Sequence, residues 1–150
     1  MVKDDALVIT LFKSRCILTM LMDYKKIDYK KLYEDIINID PKIRLVTVCD
    51  SNGRVMYSEH NQGVTNLLTA EESKQSLELA VNSWKLRSDL EPKIGKGKYV
   101  LAEYEKIKRI TMPVPGDDDH HLLYITTEVE ADHSKVIRMI GQVSIRKLLL

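Results

Sequence analysis

The order of periodic patterns along the chain predicts an α+β domain: a five-stranded antiparallel sheet flanked by helices, in the order α-β-β-α-β-β-β-α. Three observations carry this. Two short apolar runs flank an Asp50-Ser51-Asn52-Gly53 turn. A long helical stretch follows, opened by a capping signal at Thr69. Three strand-like runs joined by short polar turns then fill residues 99–130, and such turns favour antiparallel pairing.

From Tyr29 to Ile39, the residues Leu32, Ile36 and Ile37, with Tyr29, Tyr33 and Ile39 beside them, recur at three- and four-residue spacing. That is a helix with one buried stripe. Asp40-Pro41 ends it, because the residue before proline is pushed out of the α region. IRLVTVCD (43–50) is short and rich in β-branched residues, which reads as a central strand. Asn52 and Gly53 accept positive φ, so RVMYSEH (54–60) returns as the second strand of a hairpin, and Gln62-Gly63 leads into a loop.

In Thr69-Ala70-Glu71-Glu72 the threonine oxygen can accept from the third helical amide while Glu72 reaches back to the Thr69 amide. The helix carries Leu77, Ala80, Val81 and Trp84 on one face and ends near Ser88, since Pro92 prevents long continuation. Gly95 and Gly97 mark a loop.

YVLAEYEKI (99–107) alternates, with Val100, Ala102 and Tyr104 on one side and Leu101, Glu103 and Glu105 on the other. RITMPVP (109–115) puts Ile110, Met112 and Val114 on one face, and Pro113 must sit where no neighbour needs its amide. Gly116 to Asp119 makes the next turn, and HLLYITTEVE (121–130) is the most strand-like run of all. Asp132-His133-Ser134 opens a last helix with Val136, Ile137, Ile140 and Val143 as its stripe. The helices are expected together on one face of the sheet.

With 44% hydrophobic and 30% charged residues, the chain can fold around a core rather than remain disordered. A net charge of +1 gives no global reason to expect a nucleic-acid partner. Cys16 and Cys49 lack zinc-type spacing and are too few for a disulfide framework, which points to free thiols in a reducing, cytoplasmic setting. Residues 23–150 read as one domain. Residues 1–22 form an apolar extension, but Lys13 and Arg15 interrupt it at its centre, which argues against stable membrane insertion. The segment is open to three readings: an extra helix or strand on the domain, an amphipathic membrane-surface or partner segment, or residues ahead of a true translation start at Met22.

No residue has the context of a catalytic, cofactor-binding or metal-binding group. In Asp117-Asp118-Asp119-His120-His121, neighbouring residues of an extended chain point to opposite faces, so a solvated hairpin turn outweighs an ion site. His133 reads as a surface residue beside a capping Asp132. Lys93, Lys96, Lys98, Lys106, Lys108 and Arg109, with Tyr99 and Tyr104 between them, could suggest single-stranded nucleic acid. Glu91, Glu103 and Glu105 break the run, however, and a solvated strand face is the simpler reading. Gly95-Lys96-Gly97-Lys98 lacks the spacing of a phosphate loop. Trp84 is either an interface anchor or the core end of its helical stripe, with the core reading favoured.

Over residues 29–147 the element order and the hairpin VTVCDSNGRVMYS resemble the roadblock/dynein-light-chain superfamily, a profilin- and longin-like group. Asp50 and Gly53 match that family's strand-Asp-x-x-Gly-strand opening, where they serve turn geometry. WKLR (84–87), IGKGKYVLAEYEKIKRI (94–110) and YITTEVEADHSK (124–135) are also similar to a family of small archaeal proteins, notably of ammonia-oxidising archaea, which implies no particular activity. The roadblock resemblance implies a non-catalytic homodimer, formed through the central helix (70–88) and the edge strand (99–107), that serves small GTPases or motor complexes. On this chain the interface candidates are Trp84, Arg87, Tyr99, Leu101 and Glu103. The rival is a PAS- or Cache-like sensor, which shares the strand order but uses several short helices where this chain has one long one. A small metal-dependent hydrolase using residues 117–121 ranks below both.

Overall fold

The computed structural model describes residues 27–117 and 120–143, which run α1 (Tyr29–Ile37), β1 (Ile43–Asp50), β2 (Val55–His60), α2 (Ala70–Ser88), a single turn α3 (Glu91–Ile94), β3 (Val100–Glu103), β4 (Ile107–Pro113), β5 (His121–Glu128) and α4 (His133–Gly141). The 1–22 extension, Met22, Cys16, Asp118 and Asp119 lie outside the described residues. The five strands form one sheet in the order β2-β1-β5-β4-β3, with every neighbouring pair antiparallel.

Residues 122–127 of β5 are all buried, as are 46–49 of β1. A strand that buries both parities must be covered on both faces. On one face Val46, Val48, Ile110, Met112, Leu123 and Ile125 pack with Leu32, Tyr33 and Ile36 of α1 and with Val136 and Ile140 of α4. On the other, Cys49, Leu122 and Tyr124 pack with Leu77 and Val81 of α2. The sequence reading put the helices together on one face; instead α1 and α4 cover one face and α2 the other. β1 and β5 carry apolar side chains at odd and even positions alike, and a helix on one side only would leave half of them in water.

Asp50 organises the β1–β2 hairpin. Its Oδ1 accepts from the amides of Asn52 and Arg54, each at 2.9 Å, and its carbonyl accepts from Gly53. Gly53 adopts φ 85°, where a side chain would be strained, and Val81 of α2 packs over it. The capping box of α2 is present: Thr69 Oγ1 accepts from the Glu72 amide at 3.1 Å, and the Thr69 amide donates to Glu72 Oε1 at 2.9 Å. Asp132 caps α4 in the same manner, accepting from the Lys135 amide. Pro113 ends β4. The Val114 amide donates toward β5, at His121, so the Pro113 nitrogen points to the side where β3 has already ended at its Val100–Thr111 pair.

Several boundaries differ from the sequence reading: the strand expected over 109–115 runs Ile107–Pro113, that over 121–130 stops at Glu128, and the first helix ends at Ile37. The strand expected over 99–107 stops at Glu103, because the Tyr104 amide donates to the Ile107 carbonyl and closes a tight turn into β4. Pro92 does not merely bar continuation of α2; it occupies the first turn of α3, where its missing amide removes nothing.

Leu123 of the central strand β5 is fully buried in the larger core. Leu123→Ala is expected to cost about 2–5 kcal/mol and Thr69→Ala about 1 kcal/mol, both read from urea unfolding midpoints.

Candidate functional site

Helix α2 carries apolar residues on two faces. Leu77, Ala80, Val81 and Trp84 face the sheet. Half a turn away, Leu79 and Leu86 are 67% and 70% exposed, with Ser83 between them. Leu90 and Ile94 continue the apolar surface beyond the end of α2, and both are exposed. The 4-3-4 spacing from 79 through 83 and 86 to 90 aligns these positions as a seam along one side, with the polar Ser83 within it and Leu90 past the end of α2.

Beside this seam lies the free edge of the sheet. β3 pairs only with β4, so its outward amides and carbonyls have no strand partner among the described residues. Between α2 and β3 runs a shallow trough of about 150 Å³, floored by Val100, Ala102 and Thr111 and flanked by the small side chains of Ser76, Ala80 and Ser83. Small residues there let another element come close to the backbone.

The five interface candidates are placed as follows. Trp84 is half-buried; its Nε1 donates to Thr111 Oγ1 at 2.9 Å, which ties α2 to β4. The chain crosses its ring at Gly97, where an added Cβ would come within 2.8 Å of Cζ3. Arg87 is exposed and stacks its guanidinium on the same ring at 5.7 Å. Tyr99 is exposed just before β3. Leu101 and Glu103 sit on β3 but on the opposite face from α2: Leu101 packs against the larger core, and Glu103 lies 3.6 Å from Lys108 Nζ. The structure therefore gathers Trp84 and Arg87 at the trough and separates Leu101 and Glu103 from it. Leu79 and Leu86 are missing from the sequence-derived set. Their spacing was visible, but which side of the helix meets the sheet was not.

The groups with chemical potential are occupied elsewhere. His121 uses both ring nitrogens, Nδ1 with Asp117 Oδ2 at 2.7 Å and Nε2 with the Tyr29 hydroxyl at 2.9 Å, and so joins the β4–β5 turn to α1. Burial first, then the Asp117 and Asp50 carboxylates, raise the Tyr29 phenol above its ordinary value, which keeps it protonated and poorly nucleophilic. Among the described residues no three His, Cys, Asp or Glu side chains converge as a metal site would need. His133 is not a plain surface residue: its Nδ1 lies 3.1 Å from Lys108 Nζ, which also donates to the Ala131 carbonyl. Lys108 and Arg109 thus turn inward, and the basic run is not one solvated face. Among the described residues no helix is long and apolar enough to cross a membrane.

No family model matches the sequence, and no curated protein matches it either. Solved structures do. A solved MglB with a tetrameric arrangement superposes with a TM-score of 0.62 at 14% identity, covering 81% of this chain and 87% of that one. A Roadblock/LC7 domain from Streptomyces avermitilis gives 0.59 at 13% identity, covering 80% and 92%. Myxococcus xanthus MglB gives 0.56 at 13% identity, covering 77% and 89%. The fold is Roadblock/LC7-like. The roadblock-like architecture expected from the element order and the Asp50–Gly53 hairpin is the one observed, with a single long α2 between the two halves of the sheet.

Cys49 offers a direct check on these surroundings. It is wholly buried, and burial, then the Asp50 charge, push its thiol from 9.0 up to about 11. The unfolded chain loses that proton first, so folding stability is intact below about pH 9 and falls as the pH rises toward 11. Urea midpoints measured across this window are expected to decline more steeply for the wild type than for Cys49→Ala.

Proposed function

We propose that this roadblock-like domain is a non-catalytic docking module that pairs with a second copy through α2 and the edge of β3 and serves as a platform for a small GTPase. The supporting observation is the second apolar stripe of α2, exposed and lying next to an unpaired strand edge. Burying two leucines per copy, together with the edge hydrogen bonds of β3, matches the contacts by which like surfaces meet across a two-fold axis. An isologous contact also removes the hazard of a bare edge strand. The roadblock resemblance supports the GTPase as partner, and an MglB with a similar fold is described in a tetrameric arrangement. The occupied state of His121 and the protonated state of Tyr29 and Cys49 favour binding over covalent chemistry.

Light scattering of the full chain is expected to give twice the chain mass at micromolar concentration. Leu86→Glu places a charge in the seam and is expected to yield a folded monomer with unchanged far-ultraviolet circular dichroism. A wild-type protein that stays monomeric at high concentration, or a Leu86→Glu variant that remains dimeric, would refute the pairing surface.

A further inference from the structure

Helix α2 covers only one end of its face of the sheet. Beyond Leu77 a cleft of about 530 Å³ opens between the first turn of α2, the 66–68 segment and the strands. Its walls are mostly apolar, with Leu45, Val55, Leu67 and Ile107 among them, and the hydroxyls of Thr47, Ser58, Ser73 and Thr126 also reach it. This size and mixture are those of small-ligand sites.

Three cations line the cleft, and they differ in what already neutralises them. Arg44 Nη1 lies 2.6 Å from Glu128 Oε1, and its Nη2 donates to the Thr65 carbonyl at 2.8 Å. Lys74 shares the rim with Glu78, one turn further along α2. Arg109 forms no ion pair among the described residues. Its guanidinium carbon is 5.1 Å from the ring centroids of both Tyr104 and Tyr124, and its Nη1 donates to the Tyr104 hydroxyl at 3.1 Å. Its Nε is buried without any hydrogen-bond partner. The aromatic faces attract the cation but accept none of its edge N–H groups in a directed bond. A half-buried guanidinium with one buried donor unused and no carboxylate beside it is a place where an anion would be favoured.

We propose that this cleft binds a small monocarboxylic acid with an apolar body, the carboxylate meeting Arg109 and the body lying against the aliphatic wall. The charge count favours one negative charge, since Arg44 is paired with Glu128 and Glu78 shares the rim with Lys74. A phosphate would demand more donors than one guanidinium and a few hydroxyls supply. The site lies within one chain and does not depend on a second copy.

Titration calorimetry of the full chain with benzoate and 4-methylpentanoate tests this, with benzamide and inorganic phosphate as matched neutral and polyanionic probes. Saturable binding of the two acids at millimolar dissociation constants or tighter is expected, with benzamide and phosphate weaker by roughly tenfold or more. Arg109→Gln should abolish acid binding, and Arg109→Lys should weaken it while retaining the preference for acid over amide. Equal affinity for benzoate and benzamide, tighter binding of phosphate, unchanged acid binding in Arg109→Gln, or no saturable binding of either acid would overturn the proposal. Should Arg109→Gln fail to fold, the Tyr124 ring resonances of the wild type decide: benzoate must shift them, and their constancy would count as refutation.

Discussion

Strand β5 lies between β1 and β4 and is buried on both faces, and the remaining surfaces of the domain follow from covering it. Two short helices, α1 and α4, complete one face with side chains that interlock across β1, β4 and β5. The other face has α2 as its main helical cover. A single helix crossing a five-stranded sheet cannot reach every strand, since neighbouring strands stand about 4.8 Å apart and a helix with its side chains is only about 10 Å across. The face covered by α2 is therefore left with a trough on its β3 side and a cleft toward β1 and β2.

That geometry explains the unusual composition of α2. One stripe must satisfy the sheet, and Trp84 does so with both its ring and its indole N–H, held under Gly97 and bonded to Thr111. The opposite stripe, Leu79 and Leu86, remains largely exposed, with Leu79 at the border of the trough. A helix of this kind is stable only because its tertiary face is well packed, and its outer face is free to serve association. Arg109 stands where the two openings meet, lining both the trough and the cleft, with Tyr104 and Tyr124 against its guanidinium.

The polar groups that attract attention as possible reagents are instead fasteners. Asp117, His121 and Tyr29 link the β4–β5 turn to α1, and Asp50 closes the β1–β2 turn. Lys108 bridges β4 to the start of α4 through the Ala131 carbonyl and His133. His121 and Lys108 join elements far apart in sequence while Asp50 acts within its own turn, and each uses its hydrogen-bonding capacity on protein atoms.

The sequence alone determined the element order, the hairpin at Asp50–Gly53, the α2 capping box and the position of Pro113, because these depend on dihedral preferences and on contacts within a few residues. It also determined that β1 and β5 carry apolar residues at both odd and even positions. Which face each helix would cover was decided by tertiary packing, since the choice depends on the volumes of side chains that meet only across the sheet. The inward turn of Lys108 and Arg109, the shortening of β3 and the exposure of Leu79 and Leu86 were likewise decided there. A lysine in a strand or a leucine on a helix carries no local sign of its surroundings; that is set by residues 20 or more positions away, such as Ala131 for Lys108 and Thr111 for Trp84.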